Sequence, residues 1–262
     1  MSDTIAGMTG ALKGQRVLVA GGEGEIGSVI SETLAADGAD VAIAGIELGP
    51  CKEVAERLST EDNRTAAYQF DITDPASVDQ LATDLTESWG GIDVLVNCVG
   101  ILGIGPSAEF DPEQFRKIVD VNLNGAFLIS QAAGKMMIAG GIGGRIVHLT
   151  SVRAILGLNV GGWSAYGSSK AGVHLLVKQL ATEWGPHQIS VNAVGSGFVR
   201  TALNQALLQN EDFASMVAQR TPLGRVSEIQ EVANAAAYLA SPRSSFVTGQ
   251  IIYVDGGLSA SQ

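Results

Sequence analysis

The chain is poor in cysteine, in positive charge and in long apolar runs, and each shortage excludes something. Cys51 and Cys98 are the only two cysteines among 262 residues. They stand far apart and fit neither a metal-ligand nor a CxxC spacing, so they read as reduced thiols serving as small core hydrophobes. Sixteen lysines and arginines face 27 acids, for a net charge of −11. That balance argues against nucleic acid, whose phosphates need clustered cations, and against an acidic protein partner. His148, His174 and His187 show no ligand spacing, so no metal is expected and all three read as structural. The opening MSDTIAGMTGALKGQ has no basic start followed by an apolar run, and no later segment reaches spanning length. A soluble, cytoplasmic protein is expected, with residues 1–12 as a flexible N-terminal tail. Nor is there a linker, repeat or low-complexity stretch to divide residues 13–262, which are expected to form a single domain.

What the chain does have is apolar content, 46%, and 33 glycines that follow no three-residue period. Short apolar runs alternate with longer segments of helical period. The strand candidates are Arg16–Ala20, Asp40–Gly45, Ala66–Phe70, Asp93–Asn97, Arg145–Thr150, Ile189–Val194 and Ile251–Val254. Between them lie amphipathic segments such as Ile26–Asp37, Pro75–Trp89, Pro112–Ala139, Ala165–Trp184 and Ser227–Ala240. Near-continuous β-branched runs suit strands covered on both faces, and this rhythm gives an α/β fold: a doubly wound parallel sheet of seven strands.

The stretch AGGEGEIG, Ala20–Gly27, follows the first strand and opens the first helix, the setting of a dinucleotide loop. Gly21 can make the tight turn and Gly27 can let helix and sheet approach, with Glu25 and Ile26 beside the ligand. A carboxylate about 4 Å from a phosphate costs on the order of 1 kcal/mol in water and about 4 kcal/mol at an effective dielectric near 20. Binding therefore requires Glu23 and Glu25 to turn outward, leaving backbone N–H groups to meet the pyrophosphate. The second strand ends in AIAGIELG, where a carboxylate would hold ribose hydroxyls or a cation would take a ribose phosphate. Gly45 and Ile46 offer neither and Glu47 is the charged candidate, so NAD is favoured over NADP.

In SAYGSSKAGVHLLVKQLATEW, Tyr166 and Lys170 stand at i and i+4 on a face that continues through Val173, Val177, Leu180 and Trp184. A lysine on an apolar stripe either snorkels at a helix end or has a task. The task would be to hold Tyr166 partly ionised: lowering a phenol by about 3 units needs roughly 4 kcal/mol, which an ammonium in a partly dry cleft could supply. Tyr166 could then exchange a proton with an alcohol or ketone near neutral pH.

From Lys13 to Gly257 the motifs AGGEGEIG, FDITD, NCVG, DVNLNGAF, IVHLTS, YGSSK, VNAVGSGFVRT and VDGG follow one another in order. In these the chain resembles the shorter, single-domain short-chain dehydrogenases/reductases, with a Rossmann-like fold. The resemblance implies Tyr166 as acid/base, Lys170 lowering its pKa and holding the nicotinamide ribose, Ser151 bonding the substrate oxygen, and Asn122 holding a water between Lys170 and solvent. It also implies Asp71 and Ile72 at the adenine, Asn97 to Gly100 along its ribose, Val199 and Thr201 at the carboxamide, and a homotetramer. Outside that pattern Ser151 would be a turn hydroxyl, Asn122 a helix-kink residue and Asp71 a helix cap. Ala20, Glu25, the NCVG motif and Ser196 depart from the family's usual threonine, glycine, NNAG and proline, and the stretch between Ser151 and Tyr166 is slightly long.

The substrate pocket is expected after Ser151, around Trp163, after Asn97 and along Thr201–Gln219. Arg153 either meets an anionic group of the substrate or pairs with an acidic neighbour at the surface. The leading expectation is NAD-dependent interconversion of a secondary alcohol and a ketone on a polyol, sugar acid or hydroxy acid. The alternatives are an NADPH-dependent 3-oxoacyl thioester reductase and, from another class, a non-catalytic dinucleotide-binding sensor.

Overall fold

Short, mostly apolar runs form the strands: β1 (Arg16–Ala20), β2 (Asp40–Gly45), β3 (Thr65–Gln69), β4 (Val94–Asn97), β5 (Gly144–Ser151), β6 (Ile189–Ser196) and β7 (Ile251–Val254), the central ones buried and β3 and β7 at the edges only partly so. A computed structural model gives the protein at residues 10–158, 161–209 and 211–261. The strands make one parallel sheet in the order β3-β2-β1-β4-β5-β6-β7. Their side chains alternate between two cores. Leu18, Ala42, Leu95 and Ile146 face α3 (Pro75–Trp89), α5 (Gly125–Gly140) and α6 (Ser164–Trp184); Val17, Val41, Val94 and Val147 face α1 (Glu25–Ala36), α2 (Leu48–Leu58) and α9 (Ile229–Ala240). Strands wetted on neither face have no reason to alternate apolar with polar, which is why these runs are continuous.

Strand order reverses between β1 and β4, and the chain's crevice opens at the carboxyl ends of those two strands. At the opposite end Arg16 clamps Asp93 with Nη2 to Oδ1 at 2.7 Å and Nε to Oδ2 at 3.0 Å, tying β1 to the entry of β4. Burial alone would raise the Asp93 carboxyl, but the hydrogen bonds from Arg16 outweigh it and hold the group below its ordinary value.

Local signals place the helix ends. Asp74 caps α3 and Asp111 caps α4 (Pro112–Val119), each accepting from the N–H two residues on, and each is followed by a proline at the first helical position. The expected single helix over Pro112–Ala139 is three pieces: α4, a π-helical turn over Asp120–Asn124, and α5. Leu12, expected in the tail, belongs to the fold. It is fully buried and donates its N–H to Asp37 O at 3.1 Å, so the ordered fold begins before Lys13; residues 1–9 lie outside the described residues. Two short helices, α7 (Ala202–Gln209) and α8 (Glu211–Arg220), follow β6, and among the described residues no helix is long and apolar enough to cross a membrane.

The β1–α1 turn has no slack. Gly21 has φ of +73°, and a Cβ on Gly27 would stand 2.0 Å from Gly21 O. Gly27→Ala is therefore expected to destabilise the protein by about 2–3 kcal/mol and to lower its melting temperature by roughly 4–10 °C. An unchanged thermal melt would mean that α1 can retreat from the sheet at no cost.

Candidate active site

Two adjoining cavities open at the reversal. The larger, about 770 Å³, is lined by the glycine loop at Gly21, Glu23 and Gly24, by Gly45 and Ile46 after β2, by Asp71 and Ile72 after β3, and by Cys98 to Ile101 after β4. Its volume lies in the range of small-molecule and cofactor sites. The smaller, about 230 Å³, is lined by Ile26, Leu102, Ile104, Ser151, Arg153, Trp163, Tyr166, Phe198, Val199, Thr201 and Leu208.

The tetrad positions converge between them. Ser151, last residue of β5, and Tyr166 both line the smaller cavity, and Ser151 Oγ accepts from Arg153 N at 3.2 Å and donates to Ser196 O at 3.4 Å. Trp163 packs edge-on against the Tyr166 ring, centroids 6.2 Å apart. Lys170, one turn along α6, is buried, with Nζ 5.8 Å from the Tyr166 ring centroid. A Cβ on Gly100 would fall 3.0 Å from Lys170 Nζ and 3.4 Å from Asn122 Oδ1, so the backbone at the edge of the larger cavity approaches both polar groups closely. The π-helical turn explains how Asn122 gets there. Its extra residue per turn drops the side chain into the crevice, where Oδ1 accepts from Ile101 N at 2.8 Å and Nδ2 donates to Ile101 O and Ser169 Oγ, each at 3.0 Å.

The electrostatics differ from expectation. Burial is the largest influence on Tyr166 and raises its pKa; the nearby Ser151 hydroxyl and the Arg153 charge oppose it without reversing it. Lys170 does not ionise the phenol here, because Nζ donates to Leu149 O at 3.0 Å instead of reaching the hydroxyl, and burial lowers its own pKa to about 8. Tyr166 thus rests as a phenol, an acid rather than a base, at neutral pH. Cys98, beside Lys170, stays a thiol: burial pushes it up to about 12.

The remaining candidates divide into those facing a cavity and those bracing it. Ile72, Gly100, Val199, Thr201 and Ile26 face one or the other. Asp71 lines the larger cavity while its carboxylate accepts from Thr73 N and Oγ1 at 2.8 and 2.7 Å; the helix cap there is Asp74. Asn97 is buried and braces the β4 end, accepting from Val99 N at 3.1 Å and pairing with His148 Nδ1 at 3.2 Å. Ser130 meets the other nitrogen of that ring, and burial lowers His148 to about 3, which keeps it a neutral scaffold residue.

The two loop carboxylates answer the sequence's question differently from each other. Glu25 is exposed, and both its oxygens accept from Ala202 N, at 2.9 and 2.8 Å, so the charge expected to trouble a pyrophosphate sits on the first N–H of α7. Glu23 does not turn outward. Its carboxylate lies over Gly45 and Oε1 accepts from Ile46 N at 3.2 Å. Glu47, the expected ribose ligand, is exposed at the start of α2 and does not line the cavity. Sequence spacing could not reveal this exchange, because residues 23 and 45 meet only through the β1–β2 pairing.

The residues present fit a dinucleotide: the left-handed Gly21 turn leads into α1, a carboxylate oxygen of Glu23 lies buried at the β2 end with no hydrogen bond among the described residues, and Gly100 brings bare backbone close to Lys170. Among the described residues lining the smaller cavity, the cation is Arg153. Among the described residues no carboxylate pairs with it; Nη1 donates to Gly157 O at 3.2 Å and the guanidinium lies 5.9 Å from the Phe198 ring.

A family profile described as enoyl-(acyl carrier protein) reductase matches residues 20–259. Gluconate 5-dehydrogenase of Gluconobacter oxydans is 33% identical over 251 residues, 96% of this chain and 97% of that one. L-rhamnose-1-dehydrogenase of Scheffersomyces stipitis is 34% identical, over 96% and 98% of the two chains. Among solved structures, a short-chain type dehydrogenase/reductase from Mycobacterium marinum superposes with a TM-score of 0.88 at 34% identity, covering 94% of this chain and 96% of that one. A gluconate 5-dehydrogenase from Burkholderia cenocepacia, in complex with NADP and tartrate, superposes with a TM-score of 0.90 at 32% identity, covering 98% and 100%.

Proposed function

The chain belongs to the short-chain dehydrogenase/reductase family, and from that premise we propose that it interconverts a secondary alcohol and a ketone on a small, anionic hydroxy or sugar acid, with NAD preferred over NADP. The observation that carries the reading is that Ser151, Tyr166 and Arg153, with which no carboxylate pairs among the described residues, line one small cavity beside a dinucleotide-sized one. The dinucleotide, when bound, supplies or accepts the hydride. Ser151 and Tyr166 hold the substrate oxygen, and Tyr166 gives it a proton in ketone reduction or takes one in alcohol oxidation. Lys170 sets the charge behind the tyrosine, and Asn122 fixes the Ile101 backbone beside it.

Two relatives named for gluconate and rhamnose support the polyhydroxy class, and the tartrate in the Burkholderia complex is itself a hydroxy acid. That complex holds NADP; NAD is proposed here because Ile46 and Glu47 offer no cation at the β2 end. Exposed Phe115, Phe127 and Leu175 on α4, α5 and α6 support a homotetramer packed through those helices.

A panel of hydroxy acids, neutral polyols and ketoacyl thioesters tests the substrate. Arg153→Ala is expected to raise KM for carboxylated substrates by about 30-fold, the worth of a charged hydrogen bond, and to leave neutral alcohols within about twofold. A uniform change across both groups, or a wild-type preference for thioesters, would overturn the assignment.

A further inference from the structure

Glu23 is the one glycine-loop side chain for which the β2 strand has made a place. A Cβ on Gly45 would stand 2.0 Å from both Glu23 Cδ and Oε1 and 2.1 Å from Oε2, so only glycine at the strand end admits the carboxylate. Its two oxygens are treated differently. Oε1 is held by Ile46 N at 3.2 Å, whereas Oε2 is shielded from solvent and accepts no hydrogen bond among the described residues. A buried acceptor without a donor is costly, and native structures keep few of them without a reason. Here the residue lines the larger cavity.

We propose that Glu23 selects the cofactor: from the glycine loop it supplies the carboxylate that the end of β2 lacks, accepts the adenosine ribose diol, and rejects a ribose bearing a 2′-phosphate. The inference rests on the dinucleotide reading of this cavity and deepens it. A carboxylate is acceptor-only and suits two adjacent hydroxyl donors, while a phosphate in the same place removes one donor and adds like charge in a partly dry site. No cation on the β2 side offsets this, since Ile46 and Glu47 follow Gly45. The basic residues that do line the cavity, Arg116 and Lys117, belong to α4, and Arg116 is already paired with Glu113.

The test is binding, read by titration calorimetry with NADH and with NADPH, on three proteins of verified thermal stability. The wild type is expected to bind NADH at least about 30-fold tighter than NADPH, and Glu23→Gln to bring the two within about threefold, weakening NADH and strengthening NADPH. The double variant Glu23→Gly with Gly45→Asp returns the carboxylate to the strand end and is expected to restore the preference. A Glu23→Gln protein that keeps the wild-type ratio overturns the role of Glu23 and leaves the dinucleotide reading standing. Wild-type protein that binds neither dinucleotide overturns that reading, and this inference with it.

Discussion

Tyr166→Phe is expected to lose about three powers of ten in kcat for both reaction directions while its affinity for the cofactor changes by less than about twofold. The substitution removes one oxygen. The ring that remains keeps its edge contact with Trp163 and its place on α6, and Ser151 keeps its acceptor in Ser196 O at 3.4 Å. Stability should therefore fall by no more than about 1 kcal/mol, the net worth of a neutral hydrogen bond. What cannot be replaced is the proton. Burial holds Tyr166 as a phenol, so in ketone reduction the resting protein already has its acid in the right state, while alcohol oxidation must first ionise the group and should accelerate as pH rises. Single-turnover hydride transfer, followed by nicotinamide absorbance alongside calorimetric cofactor binding, separates chemistry from binding. Retention of more than about a tenth of the wild-type rate would remove Tyr166 from the chemistry.

The residues that carry this prediction were legible in the sequence for reasons that do not extend to the rest of the site. Tyr166 and Lys170 share a helix face because four residues make about one turn, and Ser151 ends a run apolar enough to be a central strand. The central strands could be read because both faces are covered, so their apolar runs are nearly unbroken; α2, with the charged sequence CKEVAERL, is a half-exposed helix absent from the segments named in the sequence. The π-helical turn at Asp120–Asn124 left no mark, since one extra backbone residue does not disturb an apolar stripe enough to break its period. Least legible were the contacts that turn the two loop glutamates into parts. Glu25 reaches Ala202 across 177 positions, and Glu23 meets Gly45 because β1 and β2 pair in register. A carboxylate in a glycine loop reads as a liability until its neighbours in space are known.

Lys170→Met is expected to make the protein slower and more stable at once. The ammonium is buried, and burial lowers its pKa to about 8 from the 10.5 of a free lysine. A base whose folded pKa lies below its unfolded value binds fewer protons when folded, so the wild type should gain stability as pH rises from about 8 to about 10.5, and at pH 7 it carries the full cost. That cost is roughly 3 kcal/mol, offset by about 1 kcal/mol for the hydrogen bond to Leu149 O, so an apolar side chain of similar length should raise the melting temperature at pH 7 by several degrees. The rate should move the other way, by about 100-fold, because the charge behind Tyr166 and Ser151 is gone. The pH profile ties the two effects to one group. With Tyr166 raised above its ordinary value, Lys170 is the first of the pair to lose its proton, so wild-type ketone reduction should fall as pH rises through about 8 and Lys170→Met should lack that limb. Lys170→Arg, which keeps its charge above pH 12, should move the fall out to the tyrosine, beyond pH 10. If the limb near pH 8 survives in both variants, the titrating group is not Lys170, and its buried ammonium would be a cost to the fold without a return in catalysis.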